Sequence, residues 1–239
     1  MHPRMRIRLI LFDIDGTLID AGGAGRRALM AAFDRMFSPP SLSAAERVPF
    51  AGKTDARIFV EMARELGIEA SRLAAQRAAF ERIYEVALRH ELERKDAPPQ
   101  RVLPGVPTLL AALKDRPDAR TGLLTGNIAI GARLKLERFA LNRFFEGGGF
   151  GDDAADRRGV ARVAREDMAR RTGIDFDGTD VVVVGDTGND VDCARANGYR
   201  SIGVDTGWAK PGELPAARPD TLFDDLSDTA AVLRALFKG

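Results

Sequence analysis

Two aspartates one residue apart, Asp13 and Asp15, end the apolar run Leu9-Ile10-Leu11-Phe12 and lead into Gly16-Thr17. Carboxylates forced that close repel each other unless a proton or a cation sits between them. Two further clusters have the same form. Gly122-Leu123-Leu124 runs into Thr125-Gly126-Asn127, and Val181-Val182-Val183-Val184 runs into Gly185-Asp186-Thr187-Gly188-Asn189-Asp190. Thr125-Gly126-Asn127 is expected to open a helix, so that its hydroxyl and free backbone N–H groups could hold phosphate oxygens. The histidines are His2 and His90 and the single cysteine is Cys193, so no zinc-type cluster can form. Acids gathered from Asp13, Asp15, Asp186 and Asp190 call instead for a hard, oxygen-liking ion such as Mg²⁺. A basic partner for the anion falls to Asp156-Arg157-Arg158. Acids, Mg²⁺ and phosphate donors together describe a phosphoryl-transfer site.

That convergence requires parallel strands. The run over residues 7–12 reads as a strand buried on both faces, and 120–124, 181–184, 201–204 and 221–223 read as further strands. Phe144-Phe145 and segment 147–150 read as a weak one. Helical patterns over 106–113, 128–139 and 160–171 alternate with them, which implies a parallel sheet covered on both faces. The three polar clusters then share the carboxyl edge of the sheet, where ligands of open α/β folds bind. Phe176-Asp177-Gly178-Thr179 repeats the letters of the first motif but precedes its strand, so it is expected as a turn at the opposite edge. Between residues 21 and 90 the pattern is purely helical, with Leu29, Phe33, Met36 and Phe37 at helical spacing. The resulting expectation is a Rossmann-like α/β core over 1–19 and 102–239, interrupted by an all-helical cap over 20–101.

The chain has 239 residues, 45% apolar and 30% charged, with a formal net charge of +1. That profile is globular, supplies enough core to need no disulfide, and gives no reason to expect nucleic-acid binding. No apolar run approaches bilayer-spanning length, and residues 1–6 leave no room for a signal peptide before the first strand. A cytoplasmic protein, monomeric or homodimeric, is expected.

The order Asp13-Ile14-Asp15-Gly16-Thr17, Thr125, a basic residue, then Gly185-Asp186 with Asp190 resembles the haloacid dehalogenase superfamily over nearly the whole chain, and the helical insertion suggests a phosphoglycolate phosphatase-like member. The resemblance implies that Asp13 is a nucleophile forming an aspartyl-phosphate and Asp15 a general acid, then base. It implies that Thr125 binds the phosphoryl group. Asp186 would join Asp13 and the Asp15 backbone carbonyl around Mg²⁺, with Asp190 supporting the metal shell. A carboxylate nucleophile divides hydrolysis into two easier steps, and a nearby acid/base serves both. Members of the family usually carry a Lys at the basic position; here Arg157 is favoured over Arg158. Lys53, in Gly52-Lys53-Thr54-Asp55, resembles a cap segment facing the active site, and Lys53 and Arg57 are candidates for the organic part of the substrate. Dehalogenases of the superfamily lack the second acid, so Asp15 favours phosphate chemistry.

The expected function is therefore Mg²⁺-dependent hydrolysis of a small phosphorylated metabolite. The alternatives are a sugar-phosphate mutase using the same site and a non-catalytic binding module. Plainer readings compete at single residues: Thr125-Gly126-Asn127 as an ordinary turn, Asp190 as a first-turn helix acid, and Arg157 or Arg158 as a solvated helix start. Trp208 is expected to pack against or line a loop.

Overall fold

A computed structural model describes residues 6–50 and 52–238. Of residues 1–6, read above as leaving no room for a leader, residues 1–5 lie outside the described residues. The strands are β1 (Arg8–Phe12), β2 (Ile19–Asp20), β3 (Arg101–Val102), β4 (Ala119–Leu124), β5 (Gly148–Gly149), β6 (Val181–Gly185), β7 (Arg200–Val204) and β8 (Thr221–Phe223). The helices are α1 (Ala24–Phe37), α2 (Ser43–Glu46), α3 (Asp55–Glu65), α4 (Ala70–Ala75), α5 (Arg77–Glu93), α6 (Val106–Lys114), α7 (Ala129–Glu137), α8 (Arg157–Thr172), α9 (Gly188–Ala196), α10 (Glu213–Ala216) and α11 (Thr229–Phe237).

Six strands form one parallel sheet in the order β5-β4-β1-β6-β7-β8, with β1 and β6 in adjacent central positions. Alternation along β1 explains its uninterrupted apolar sequence. Ile10 and Phe12 pack with residues of α6, α7 and α11 on one face. Leu9 and Leu11 pack with residues of α8 and α9 on the other. The Phe176 motif sits just before β6, in a turn whose Thr179 and Asp180 receive Arg6 and Arg8.

Helices α1–α5 hold a second core built on Leu29, Phe33, Phe59, Phe80 and Tyr84, onto which Ile128 and Leu134 also pack. Two short strands bracket this helical layer: Ile19 pairs antiparallel with Val102, and Asp20 with Arg101. Neither strand is legible in the sequence, because two residues carry no periodicity. The weak strand expected over 147–150 shrinks to the two residues of β5, and Phe144 lies in a 3₁₀ turn.

Candidate active site

Asp13 follows β1 directly, and its N–H donates to the Val184 carbonyl at 3.0 Å, carrying the ladder one residue beyond the strand. Gly16 then turns the chain at φ +84. Asp186 and Asp190 follow the neighbouring β6, so adjacent parallel strands deliver both acids to the same edge. Oxygens of Asp13, Asp186 and Asp190 lie within 4.8 Å of one another, and all three residues are buried.

Arg157 is the cation among them. Its Nη2 lies 2.9 Å from Asp13 Oδ1, while Nε and Nη2 donate to Asp190 Oδ1 at 2.9 and 2.5 Å. Burial works against the guanidinium charge, but Asp13 and Asp190 outweigh it and hold its pKa well above the ordinary value. Arg158, one residue on, is exposed and pairs with Asp192 at 2.8 Å. Burial pushes the Asp13 carboxyl up to about 6 against the pull of Arg157, with Asp190 and Asp15 adding to the rise. Burial and then the charge of Asp13 raise Asp186 well above the usual carboxylate range.

Asp190 spends its oxygens within the protein. Oδ1 receives Arg157, and Oδ2 accepts from the Thr187 N–H at 3.0 Å and the Thr187 hydroxyl at 2.6 Å, closing a capping box on α9. Asp186 is less committed: its side-chain donor is the Thr17 hydroxyl, 3.3 Å from Oδ1. Gly16 and Gly207 press on its carboxyl group so closely that a Cβ at either would overlap it. A hard, all-oxygen donor set in which buried charges of one sign exceed the single guanidinium suits a divalent cation. Asp13, Asp186 and Asp190 form the group that could hold one; Asp13 and Asp186 are the less committed, since the Asp190 side chain also serves Arg157 and Thr187.

Asp15 turns elsewhere. Its Oδ2 accepts from Lys135 Nζ at 2.6 Å and Asn127 Nδ2 at 2.8 Å. Asn127 Oδ1 in turn accepts from Lys135 Nζ at 2.6 Å. Sequence reasoning passed over Lys135, which reads as one more charge on a helix. Its signal was the position between Leu134 and Leu136, both buried.

The Thr125 loop departs from expectation in one respect. The helix opens at Ala129, and its leading N–H groups are taken: Ile128 donates to Asp55 Oδ2 at 2.9 Å and Ala129 to Asp152 Oδ1 at 3.1 Å. The Asn127 N–H is held by Thr125 Oγ1 at 3.2 Å. Among the described residues only the Gly126 N–H of this loop lacks a protein acceptor. Thr125 Oγ1 also accepts from Asn127 Nδ2 at 2.8 Å, so both of its hydrogen bonds within the protein are accepted ones and its O–H proton is uncommitted.

The helical layer reaches this loop. The Asp55 N–H donates to the Gly126 carbonyl at 2.6 Å, and the Lys53 carbonyl lies against Gly126 so tightly that a Cβ there would collide with it. Asn189 Nδ2 donates to the Gly52 carbonyl at 3.0 Å. Thr54 caps α3 by accepting from the Arg57 N–H at 3.3 Å, which leaves the Asp55 carboxylate to cap α7. Lys53 lines the cavity with its ammonium 2.5 Å from Glu61. Arg57 bonds the same Glu61, points mainly to solvent and does not line the cavity. The cavity encloses about 870 Å³ between sheet edge and helices; Asp13, Asp15, Thr125, Gly126, Asn127 and Arg157 line one part, and Arg26, Phe50 and Tyr84 another. Trp208, 60% exposed, also lines it.

Comparison with known proteins shows the family and the fold. A family profile described as haloacid dehalogenase-like hydrolase matches residues 7–198. The chain belongs to that family. It is 28% identical to a phosphoglycolate phosphatase of Pectobacterium atrosepticum over 93% of this chain and 90% of that one. It is 27% identical to a probable phosphatase, IndB, of Dickeya dadantii over 96% and 95%. Among solved structures, a predicted phosphatase from Clostridium acetobutylicum shares the fold with a TM-score of 0.68 at 20% identity, covering 96% of this chain and 99% of that one. This member of the haloacid dehalogenase-like hydrolases thus carries the family's parallel sheet with the acids at its carboxyl edge. Among the described residues no helix is long and apolar enough to cross a membrane.

Proposed function

We propose that the chain is a Mg²⁺-dependent phosphomonoester hydrolase acting on a small phosphorylated metabolite, with α1–α5 serving as a cap over the site. The reading rests on one observation: the two aspartates after β1 have opposite surroundings. Asp13 is buried against Arg157 and Asp186, whereas Asp15 is partly exposed and held on Lys135 and Asn127. One suits a nucleophile beside a charged phosphoryl group, the other a proton carrier.

In this scheme an Asp13 oxygen attacks phosphorus and the bond to the ester oxygen breaks. Asp15 gives that oxygen its proton, leaving an aspartyl-phosphate on Asp13. Asp15 then takes a proton from water as the water oxygen attacks phosphorus, the Asp13–phosphorus bond breaks, and inorganic phosphate leaves. Arg157, the Thr125 hydroxyl and the Gly126 N–H would receive phosphoryl oxygens, with Asn127 holding Thr125. Mg²⁺ held by Asp13 and Asp186 would neutralise phosphate charge during attack. Lys53 and Tyr84 lie where the organic part of the ester would sit, and the cap would exclude water from the aspartyl-phosphate step.

The test is release of free phosphate from p-nitrophenyl phosphate and a panel of phosphate esters, with Mg²⁺ and with a chelator, for the wild type and Asp13→Asn. Metal-dependent release that Asp13→Asn abolishes is expected. Absence of metal-dependent turnover on every ester favours a binding module, and undiminished activity in Asp13→Asn rules out the nucleophile assignment.

A further inference from the structure

The carboxylate of Asp15 is held by one oxygen only. Lys135 Nζ and Asn127 Nδ2 both reach Oδ2, at 2.6 and 2.8 Å, while Oδ1 has no partner among the described residues. The three side chains close a triangle, because Asn127 Oδ1 accepts from the same ammonium at 2.6 Å. That contact fixes the amide orientation: oxygen towards Lys135, nitrogen towards Asp15 and Thr125. Lys135 comes from α7, eight residues after Asn127, and its side chain is buried. The helical layer closes over it. A Cβ on Gly25 of α1 would stand 3.2 Å from Nζ and 3.9 Å from the Tyr84 hydroxyl, so glycine at this position is what lets α1 come so close to the ammonium.

A carboxyl group rotates about its Cβ–Cγ bond and offers either oxygen unless something distinguishes them. Two short, charge-assisted or amide donors on one oxygen do so. We propose that Lys135, with Asn127, is a positioning residue that pins Asp15 by Oδ2, so that Oδ1 carries the proton of both half-reactions. In the first, the O–H bond at Oδ1 breaks and the proton passes to the ester oxygen as it leaves phosphorus. In the second, Oδ1 takes a proton from the attacking water. The inference rests on the hydrolase reading given above.

The dependence of rate on the leaving group separates this role from a merely structural one. Departure of a nitrophenolate needs little protonation, whereas departure of an alkoxide depends on it. For Lys135→Met, kcat/KM on an alkyl phosphate such as glycerol phosphate should fall about 100-fold, the low end of what general acid catalysis supplies, while kcat/KM on p-nitrophenyl phosphate falls less than about threefold. Lys135→Gln, which keeps an N–H donor without the charge, should lie between wild type and Lys135→Met, and it stands in should Lys135→Met fail to fold. Equal losses on both esters in a folded variant, or no loss on either, overturns the assignment. A wild-type enzyme that turns over neither ester with Mg²⁺ overturns the hydrolase reading and this inference with it. Wild-type turnover with equal losses in the variants overturns the inference alone.

Discussion

Asp186→Asn separates the two things the acidic cluster does, destabilising the fold and holding a cation. Oxygens of Asp13, Asp186 and Asp190 lie within 4.8 Å of one another. At that separation two unit charges repel by about 3 kcal/mol at an effective dielectric near 20. Arg157 offsets this most for Asp13 and Asp190, which it contacts directly, and less for Asp186, where burial and the charge of Asp13 outweigh its pull. The amide is uncharged and still offers an oxygen to the Thr17 hydroxyl, which now reaches Asp186 at 3.3 Å. Part of the repulsion is already relieved by proton uptake, since Asp186 titrates well above the usual range. The variant should therefore be more stable than wild type in a chelator by about 1–2 kcal/mol, some 2–4 °C per kcal/mol for a chain of this size. With Mg²⁺ the order reverses. Wild type gains about 2.7 kcal/mol at a hundred times its dissociation constant, and Asp186→Asn gains little because one of the two holding carboxylates is gone. Thermal melts in EDTA and in saturating MgCl₂ read both effects, and phosphate release should vanish. A variant less stable than wild type in EDTA, or a wild-type melting point that Mg²⁺ leaves unmoved, refutes the reasoning.

Arg157→Lys keeps the charge but cannot span Asp13 and Asp190 as the guanidinium does, so turnover should fall about tenfold. Arg157→Met leaves two buried carboxylates without their cation and should cost about 3–5 kcal/mol in urea melts; a neutral effect on stability would show that the pair matters little. At Gly207, alanine would drive a Cβ into the Asp186 carboxyl. Overpacking of this kind costs about 1–3 kcal/mol, and the half-saturating Mg²⁺ concentration should rise about tenfold, the equivalent of 1.4 kcal/mol. Unchanged Mg²⁺ titration would mean that Asp186 does not hold the ion. Burial pushes the Asp55 carboxyl up to about 6 from 3.8, so the folded chain keeps a proton there that the unfolded chain has released. Stability linked to this group is full below about pH 4 and falls by about 3 kcal/mol as pH rises through about 6. Asp55→Asn, neutral throughout, should recover up to that amount above pH 7 and almost none near pH 4, by denaturant melts at both; equal effects at the two pH values would contradict it.

Residue order alone dictates the sheet edge and its acids. An apolar run ended by Asp13-Ile14-Asp15-Gly16 can only be a buried strand that stops in polar groups, and three such runs on parallel strands must stop at the same edge. Position along the chain thus set position in space for Asp13, Thr125 and Asp186. The same logic excluded the Phe176 motif, which enters its strand instead of leaving it. Tertiary structure decided what sits on helices. Arg157 and Arg158 are neighbours, so they point about 100° apart on α8. Which one turns inward depends on the helix rotation set by Val160, Ala161, Ala164 and Met168 against the sheet. Lys135 enters the site from the second turn of a helix, at a distance no local pattern encodes. The N–H groups expected to be free at the start of α7 were claimed by Asp55 and Asp152, residues far from them in sequence. A strand end fixes its side chains by the ladder alone, whereas a helical side chain or an unpaired N–H finds its partner only after whole elements have packed.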